Sequence, residues 1–538
     1  MNFVKKNKKP IMIALVQWFL TTLLQVDRLY FCYDHETIYL TVSKFLYLCL
    51  LLAAWCFGFH AYRKIKERDV NYCRGFTIFR AYGTIVMMLL LLLWPGTWAW
   101  DDLGTLNAIS TYESWNPWQN IISGIYQDVL LQILPFPGGI ILLQNIIISL
   151  CVAFVVVKLE KIFAINAENE KKKAFGLFVR ILPFLLPPVL MYQFSGYRMG
   201  LYVYLELVML VILIGAATDN REWHLPYLLL FCFLCVIISV WRSESFFYIP
   251  AACILLFVNR NRQKILPGRK ALLCILLLIT CFLGMNRLQT KENGNNNYEV
   301  VSLLRPCVKL VATADREEDK ELLADIDRVA SVEVMYDNPS KNGTELYWEG
   351  KLVRESYTGE DYQSFLKAFL KLSLKYPEVV IAERWQLFLD GSGITGKTYT
   401  NVADSSLLFE PENENVAADI VFQKGWIATS PVFKNTRRRV IKLLGMTFHD
   451  GAVLEALRRV VWNAVIPLLI LLCAWLRLLV KKKWYLFGIC SVVLLRVPVV
   501  ILTQPTYWFM YMLSFYMLGY VYLVYRILII RSNQYRAP

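Results

Sequence analysis

IVMMLLLLLWPGTWAWDD, residues 85–102, runs from nine apolar residues through a Pro-Gly turn and three tryptophans into a pair of carboxylates. Extended back to Ala81, the run approaches the roughly 20 residues that cross a hydrocarbon layer about 30 Å thick. Pro95 and Gly96 then end the helix. This pattern belongs to a chain that crosses a membrane. The whole composition agrees: 538 residues are 57% hydrophobic, 14% aromatic and only 18% charged, with a mean hydropathy of +0.43. Apolar stretches this long exceed what a soluble core uses. The expected fold class is an all-α polytopic membrane protein.

About twelve spans are expected, near residues 11–26, 38–59, 81–100, 140–157, 175–192, 201–217, 225–241, 246–258, 271–285, 460–476, 484–503 and 507–530. The basic segments alternate with them. MNFVKKNKKP, RKIKER with Arg74 and Arg80, KLEK with EKKK, NRNRQK with GRK, and the KKK of 481–483 all fall on one side. Because Lys and Arg are retained in the cytoplasm during insertion, that side and both termini are expected to be cytoplasmic. The net charge of +15 is thus a topology signal, and nucleic acid is not an expected partner. The first helix follows a basic N-terminus without a small-residue cleavage site and reads as a retained signal anchor.

This map divides the chain into an N-terminal transmembrane region (1–285) with a long outer loop (95–137), an extracytoplasmic domain (286–459) and C-terminal transmembrane helices (460–538). The domain is expected to be mostly helical. VSLLRPCVKLVATADREEDKELLADI suggests two helices, and DYQSFLKAFLKLSLKYPEVVIAERWQLFL carries apolar residues at helical spacing. MYDNPSKNGTELYWEGKL is turn-rich, and NENVAADIVFQKGWIATSPVFKNTRRR reads as a loop returning to the membrane, its arginines 437–439 a solvated face in preference to a contact for lipid phosphates. Of thirteen cysteines only Cys307 falls in this domain, which excludes an internal disulfide framework there. The CFLC of 232–235 reads as helix packing.

Asp101 and Asp102 therefore hang at the outer interface, among Trp94, Trp98, Trp100, Trp115 and Trp118, rings suited to headgroup depth. The following WNPWQNIISGIYQDVLLQILPF has a helical apolar pattern and is expected along the membrane plane, as a lid. Two adjacent carboxylates can accept a proton from a sugar hydroxyl, orient it, or bind a divalent cation; they can also be plain solvated charges. In the outer turn SVWRSESFFYIP, Arg242 with Glu244 offers a phosphate-gripping guanidinium, or simply an ion pair. Arg198 in QFSGYRMG is a second cation. The candidate site comprises Asp101 and Asp102 as catalytic groups, with Arg242, Glu244, Arg198, Trp100, Trp115 and Asn116 as substrate contacts. A divalent cation stays open as a cofactor.

The PGTWAWDD turn, the aromatic-polar-proline element WNPWQ, the RSES turn and an outer insertion ending LKYPEVVIAERW together resemble the GT-C superfamily of membrane glycosyltransferases. They are most similar to its bacterial DUF6020-like branch, with Asp101 in the position of an Asp that follows the PG turn. The chain departs from that pattern at three places: Asn116 stands before Pro117 in place of His, Tyr197 and Arg198 replace a Lys-Asp pair, and Arg242, Ser243, Glu244 and Ser245 replace Arg-Asn-Asn-Gly. The resemblance implies a polyprenyl-phosphate-linked sugar donor arriving laterally in the outer leaflet. It also implies a loop Asp that deprotonates a glycan or lipid-linked acceptor, and a place in the bacterial cell envelope. The sequence carries no Walker loop or dinucleotide glycine pattern. The alternatives are a lipid-linked oligosaccharide flippase or transporter, a polysaccharide polymerase, or a noncatalytic envelope-assembly protein. A transporter should carry paired ionisable groups and broken helices at mid-membrane; Lys44, Arg180, Glu206 and Arg496 look scattered, with Glu206 expected as the buried partner of a cation. The geometric expectation is that Asp101 and Arg242 face one outer cavity, on the order of 10 Å apart.

Overall fold

The computed structural model describes residues 7–115, 120–165, 173–293, 297–338, 343–348, 352–354, 356–398, 431–446 and 452–534. The order of the main helices is α1 (Lys8–Leu23), α2 (Ile38–Lys66), α3 (Val70–Leu93), α4 (Trp100–Ser110), α5 (Ile121–Leu131), α6 (Pro137–Ile162), α7 (Lys173–Ile181), α8 (Pro187–Gln193), α9 (Met199–Ala216), α10 (Leu225–Trp241), α11 (Tyr248–Val258) and α12 (Gly268–Asn293). The order continues with α13 (Val301–Thr313), α14 (Lys320–Asp327), α15 (Val332–Asp337), α16 (Gly343–Trp348), α17 (Gly359–Lys375), α18 (Pro377–Gly391), α19 (Lys434–Gly445), α20 (Ala452–Val461), α21 (Val465–Val480), α22 (Trp484–Thr503) and α23 (Leu513–Gln534). Among the described residues there is no β-strand; the architecture is all-α.

Among the described residues, eight helices are long and apolar enough to cross a membrane: α2, α3, α6, α9, α12, the run through α20 and α21, α22 and α23. The stretch expected as a span over 175–192 is instead bent by 66° between two helical pieces. Pro187 and Pro188 at the start of α8 explain the break, since proline lacks the N–H that would continue the preceding helix. Elsewhere the starts follow capping chemistry. The Thr37 hydroxyl accepts from the Leu40 N–H to begin α2, and the Asp69 carboxylate accepts from Asn71 and Tyr72 to begin α3. Arg63, Lys64 and Lys66 close α2, cations at the negative end of the helix dipole.

Two results differ from the expectation for 95–137. The third helix ends at Leu93, and the carboxylates lie on the first turn of a new helix, α4, rather than on a loop. The segment expected as a lid on the membrane plane, α5 (Ile121–Leu131), is buried inside the protein except at the half-buried Ile125 and Tyr126. Trp98 and Trp115 are buried inside the protein too. An aromatic ring gains more from full burial against protein than from a half-wet interface whenever a pocket exists for it.

One apolar core runs through the membrane helices. A second, built from α13 to α17 around residues such as Leu304, Val308, Ile326, Met335 and Phe365, belongs to the segment after α12. The two are tied at one end of the bundle, where Arg384 donates to the carbonyls of Gln504 at 3.0 Å and Ser302 at 2.6 Å, and Gly343 N–H donates to Pro505. The segment over 399–430 lies outside the described residues.

Candidate active site at the domain-covered end

The carboxylates are positioned by a short backbone zipper. Thr97 pairs with Ser195: its N–H donates to the Phe194 carbonyl at 2.9 Å, and Gly196 N–H donates to the Thr97 carbonyl at 3.3 Å. This joins the turn after α3 to the turn before α9. Gly96 has φ +96°, and a Cβ there would stand 2.7 Å from the Phe194 carbonyl oxygen, so the crossing requires glycine. The Trp98 ring fills the space over Gly196, where a Cβ would approach within 2.5 Å. Gln144 of α6 holds the second turn by donating to the carbonyls of Gln193 and Ser195, both at 2.9 Å.

Helix α5 braces the arrangement from below. Gln127 donates to the Gly196 carbonyl at 3.0 Å, Asn120 to the Val240 carbonyl at 2.8 Å, and the Trp241 indole N–H to the Ser123 hydroxyl at 2.9 Å. The turns carrying Arg198 and Arg242 are thereby fixed to the same helix. A third contribution comes from far along the chain. Arg437 of α19, 1% exposed, donates to the Leu93 carbonyl at 3.3 Å and the Gly96 carbonyl at 2.8 Å. The expectation of a solvated 437–439 face is therefore corrected at Arg437. The carbonyls left without a helical partner where α3 stops explain why a guanidinium is drawn in.

The two carboxylates are not equivalent. The Asp102 carboxylate accepts the Ala99 N–H at 3.1 Å and caps its own helix, buried at 2% exposure. Asp101 is partly exposed; among the described residues its carboxylate makes no ion pair, and the Tyr197 phenol is its hydrogen-bonding neighbour. Burial pushes the Asp101 carboxyl up from 3.8 to about 6, against the opposing pull of Arg198, the Tyr197 phenol and Arg242. The Asp102 carboxyl is also pushed up by burial, opposed by its hydrogen bond from Ala99 and reinforced by Asp101.

The cations also differ. The Arg242 guanidinium, 2% exposed, is bound to Glu244 through Nε at 2.7 Å and Nη2 and lies 5.3 Å from the Tyr511 ring centre. Burial, which alone would raise the Glu244 carboxyl, is outweighed by Arg242 and Arg496, so it falls to about 2. Arg198, by contrast, has no ion pair among the described residues, and its buried Nε has no hydrogen-bond partner. Arg198 is the uncommitted cation beside Asp101, although the sequence gives Arg242 the stronger case.

Tyr298, at the entry to the α13 domain, reaches the same place, since Asp101, Tyr197 and Arg198 all act on its phenol. It leads an aromatic cluster: Tyr298 and Tyr347 ring centres are 5.3 Å apart, Tyr347 and Trp348 5.0 Å. Trp348 is 61% exposed. The Tyr197 hydroxyl donates to Met510 Sδ at 2.8 Å. Of these groups, Tyr298, Tyr511 and Met510 were not found by sequence reasoning. The available signal was a lone tyrosine after the asparagine run NNN at the end of a span.

Beneath lies a chain of buried charges. Arg496 of α22 pairs with Glu206 of α9 at 2.7 Å and stands 3.8 Å from Glu244, donating also to Tyr202 at 3.1 Å and Ser245 at 2.9 Å. Glu206 is the buried partner of a cation, as expected. The structure thus brings Asp101, Arg198, Arg242 and Glu244 within electrostatic reach of one another. Trp115 packs on Tyr39, centres 4.9 Å apart. The Trp100 side chain and Asn116 lie outside the described residues.

A divalent cation does not fit this set. Asp102 is spent on the helix, two guanidinium charges flank Asp101, and no group of three His, Cys, Asp or Glu side chains gathers among the described residues. No protein-family model, no curated protein and no solved structure matches the chain.

Proposed function

We propose that the protein is a GT-C-like membrane glycosyltransferase of the bacterial cell envelope that moves a sugar from a polyprenyl-phosphate-linked donor to a glycan or lipid-linked hydroxyl at the outer face. The observation that carries this reading is the Asp101 carboxyl, without an ion pair among the described residues, held near 6 beside the Tyr197 phenol and the uncommitted Arg198. A carboxyl tuned toward neutrality is suited to general-base work. Asp101 takes the acceptor hydroxyl proton as that oxygen bonds to the anomeric carbon. The bond from that carbon to the phosphate oxygen breaks, and its electron pair leaves with the polyprenyl phosphate. Arg198 meets the phosphate charge, while Arg242, fixed by Glu244, adds field without moving. The Tyr298, Tyr347 and Trp348 cluster offers faces for the C–H surfaces of sugars. In this reading α1, the bent α7–α8 pair, α10 and α11 join the eight long helices as crossings, giving twelve. The basic loops then lie in the cytoplasm and the α13–α18 domain outside.

The test uses purified protein in nanodiscs with a panel of short-chain prenyl-phosphate hexoses and pentoses, reading release of free prenyl phosphate by mass spectrometry. Release by the wild type that falls about 10² to 10⁴-fold in Asp101→Asn is the expected result. An unaffected Asp101→Asn removes Asp101 from the base role.

A second reading, a flippase for such lipids, is favoured by the Glu206–Arg496 pair inside two spans and by the 66° bend after α7. A flippase moves the donor across a vesicle bilayer and releases no prenyl phosphate.

A further inference from the structure

At the opposite end of the bundle, α9, α21, α22 and α23 leave a cavity of about 380 Å³. Its walls are apolar side chains such as Leu210, Ile214, Leu471, Ile489 and Val521. On α21 the lining runs from Leu471 to Lys481, ten residues or about 15 Å along a helix axis. That is the depth of one leaflet of a hydrocarbon core about 30 Å thick. Three cations, Arg477, Lys481 and Arg526, also line it, with no acidic residue among the lining side chains. None of the three makes an ion pair or side-chain hydrogen bond among the described residues, in contrast to Lys158 nearby, which pairs with Asp219 at 3.4 Å. Neither the Asp101 chemistry nor the Glu206–Arg496 chain uses any of these groups.

We propose that this cavity holds an acyl chain of one anionic phospholipid, its phosphate seated among Arg477, Lys481 and Arg526. An apolar slot one leaflet deep fits a chain, and three unpaired cations at its polar mouth fit a negative headgroup. A zwitterionic lipid satisfies the slot but returns a positive group to the cations. With the basic loops in the cytoplasm, the lipid belongs to the inner leaflet, where anionic headgroups attract clustered Lys and Arg. The site stands whether or not the Asp101 reading holds.

The test is native mass spectrometry of the full chain released from nanodiscs of equal phosphatidylcholine and phosphatidylglycerol. One phosphatidylglycerol retained per monomer, preferred about tenfold or more, is the expected result. Combined Arg477→Gln, Lys481→Gln and Arg526→Gln should abolish the preference, while Lys66→Gln, Lys482→Gln and Lys483→Gln, an equal charge loss outside the cavity, should keep it. Ala474→Phe, which fills the slot and leaves the cations, should lower phosphatidylglycerol retention. Equal retention of the two lipids overturns the proposal. So does equal loss in the control triple variant, unchanged retention in Ala474→Phe, or a dimer mass free of lipid, which would give the slot to a second copy.

Discussion

Replacing the Asp101 carboxylate by an amide should make the protein more stable and, on the proposed reading, inactive. Raising the carboxyl from 3.8 to about 6 corresponds to about 3 kcal/mol against the ionised form. The side chain is partly exposed, so water screening reduces this to roughly 1–2 kcal/mol. Burial is the largest cause, and Arg198, Tyr197 and Arg242 offset it only in part. The folded state therefore holds the proton more tightly than the unfolded chain does. That advantage is complete below 3.8 and is lost as pH rises through about 6. Asp101→Asn lacks this dependence. Its stability lead over the wild type should be full above about pH 6, shrink as pH falls toward 3.8, and nearly vanish below that value. Thermal unfolding of both proteins in nanodiscs, at several pH values from the acid range to above neutrality, reads the gap. A variant less stable than the wild type at neutral pH, or a gap indifferent to pH, refutes the reasoning and makes the Asp101 charge a structural partner.

Arg242→Ala should lose roughly 3–5 kcal/mol, because Glu244 is left buried with its closest partner gone; size-exclusion recovery measures this. Arg198→Ala should fold normally and raise KM for a prenyl-phosphate sugar more than it lowers kcat, an equal fall in kcat and kcat/KM counting against phosphate contact. Gly96→Ala should destabilise by about 1–3 kcal/mol, since the added Cβ meets the Phe194 carbonyl at a φ of +96°. Arg437→Gln, losing charge-assisted bonds to the Leu93 and Gly96 carbonyls, should cost about 1.5–3 kcal/mol and quicken amide exchange over 94–110.

Helices whose ends are written in local chemistry were legible. The expected bounds 225–241 and 484–503 coincide with Leu225–Trp241 and Trp484–Thr503, the first opened by Pro226 and the second by the lysines 481–483. The Asp pair was legible as a candidate, but its division of labour was not. Which carboxylate caps a helix depends on where the first turn begins, and Ala99 carries no side-chain cap to announce it. Arg242, with Glu244 two residues on, looked the stronger candidate in sequence, and Arg198 only a second cation. Only the fold decides that Glu244 folds back on one and nothing described binds the other. Tyr298 and Arg437 act through contacts across hundreds of residues, which no periodicity records, and Glu206 with Arg496 looked scattered for the same reason.

The Arg437 contact also sets an order in time. Arg437 lies 341 residues after the Gly96 carbonyl it binds, and synthesis at about 5–20 residues per second separates the two by roughly 20 to 70 s. Through that interval the Leu93 and Gly96 carbonyls lack their guanidinium. A nascent chain stalled between residues 298 and 437 would already carry Asp101, Arg198, Arg242 and Tyr298, yet lack the side chain that pins the first turn. Ribosome-stalled chains of increasing length should therefore gain protection of the 94–110 segment late, after α19 has emerged.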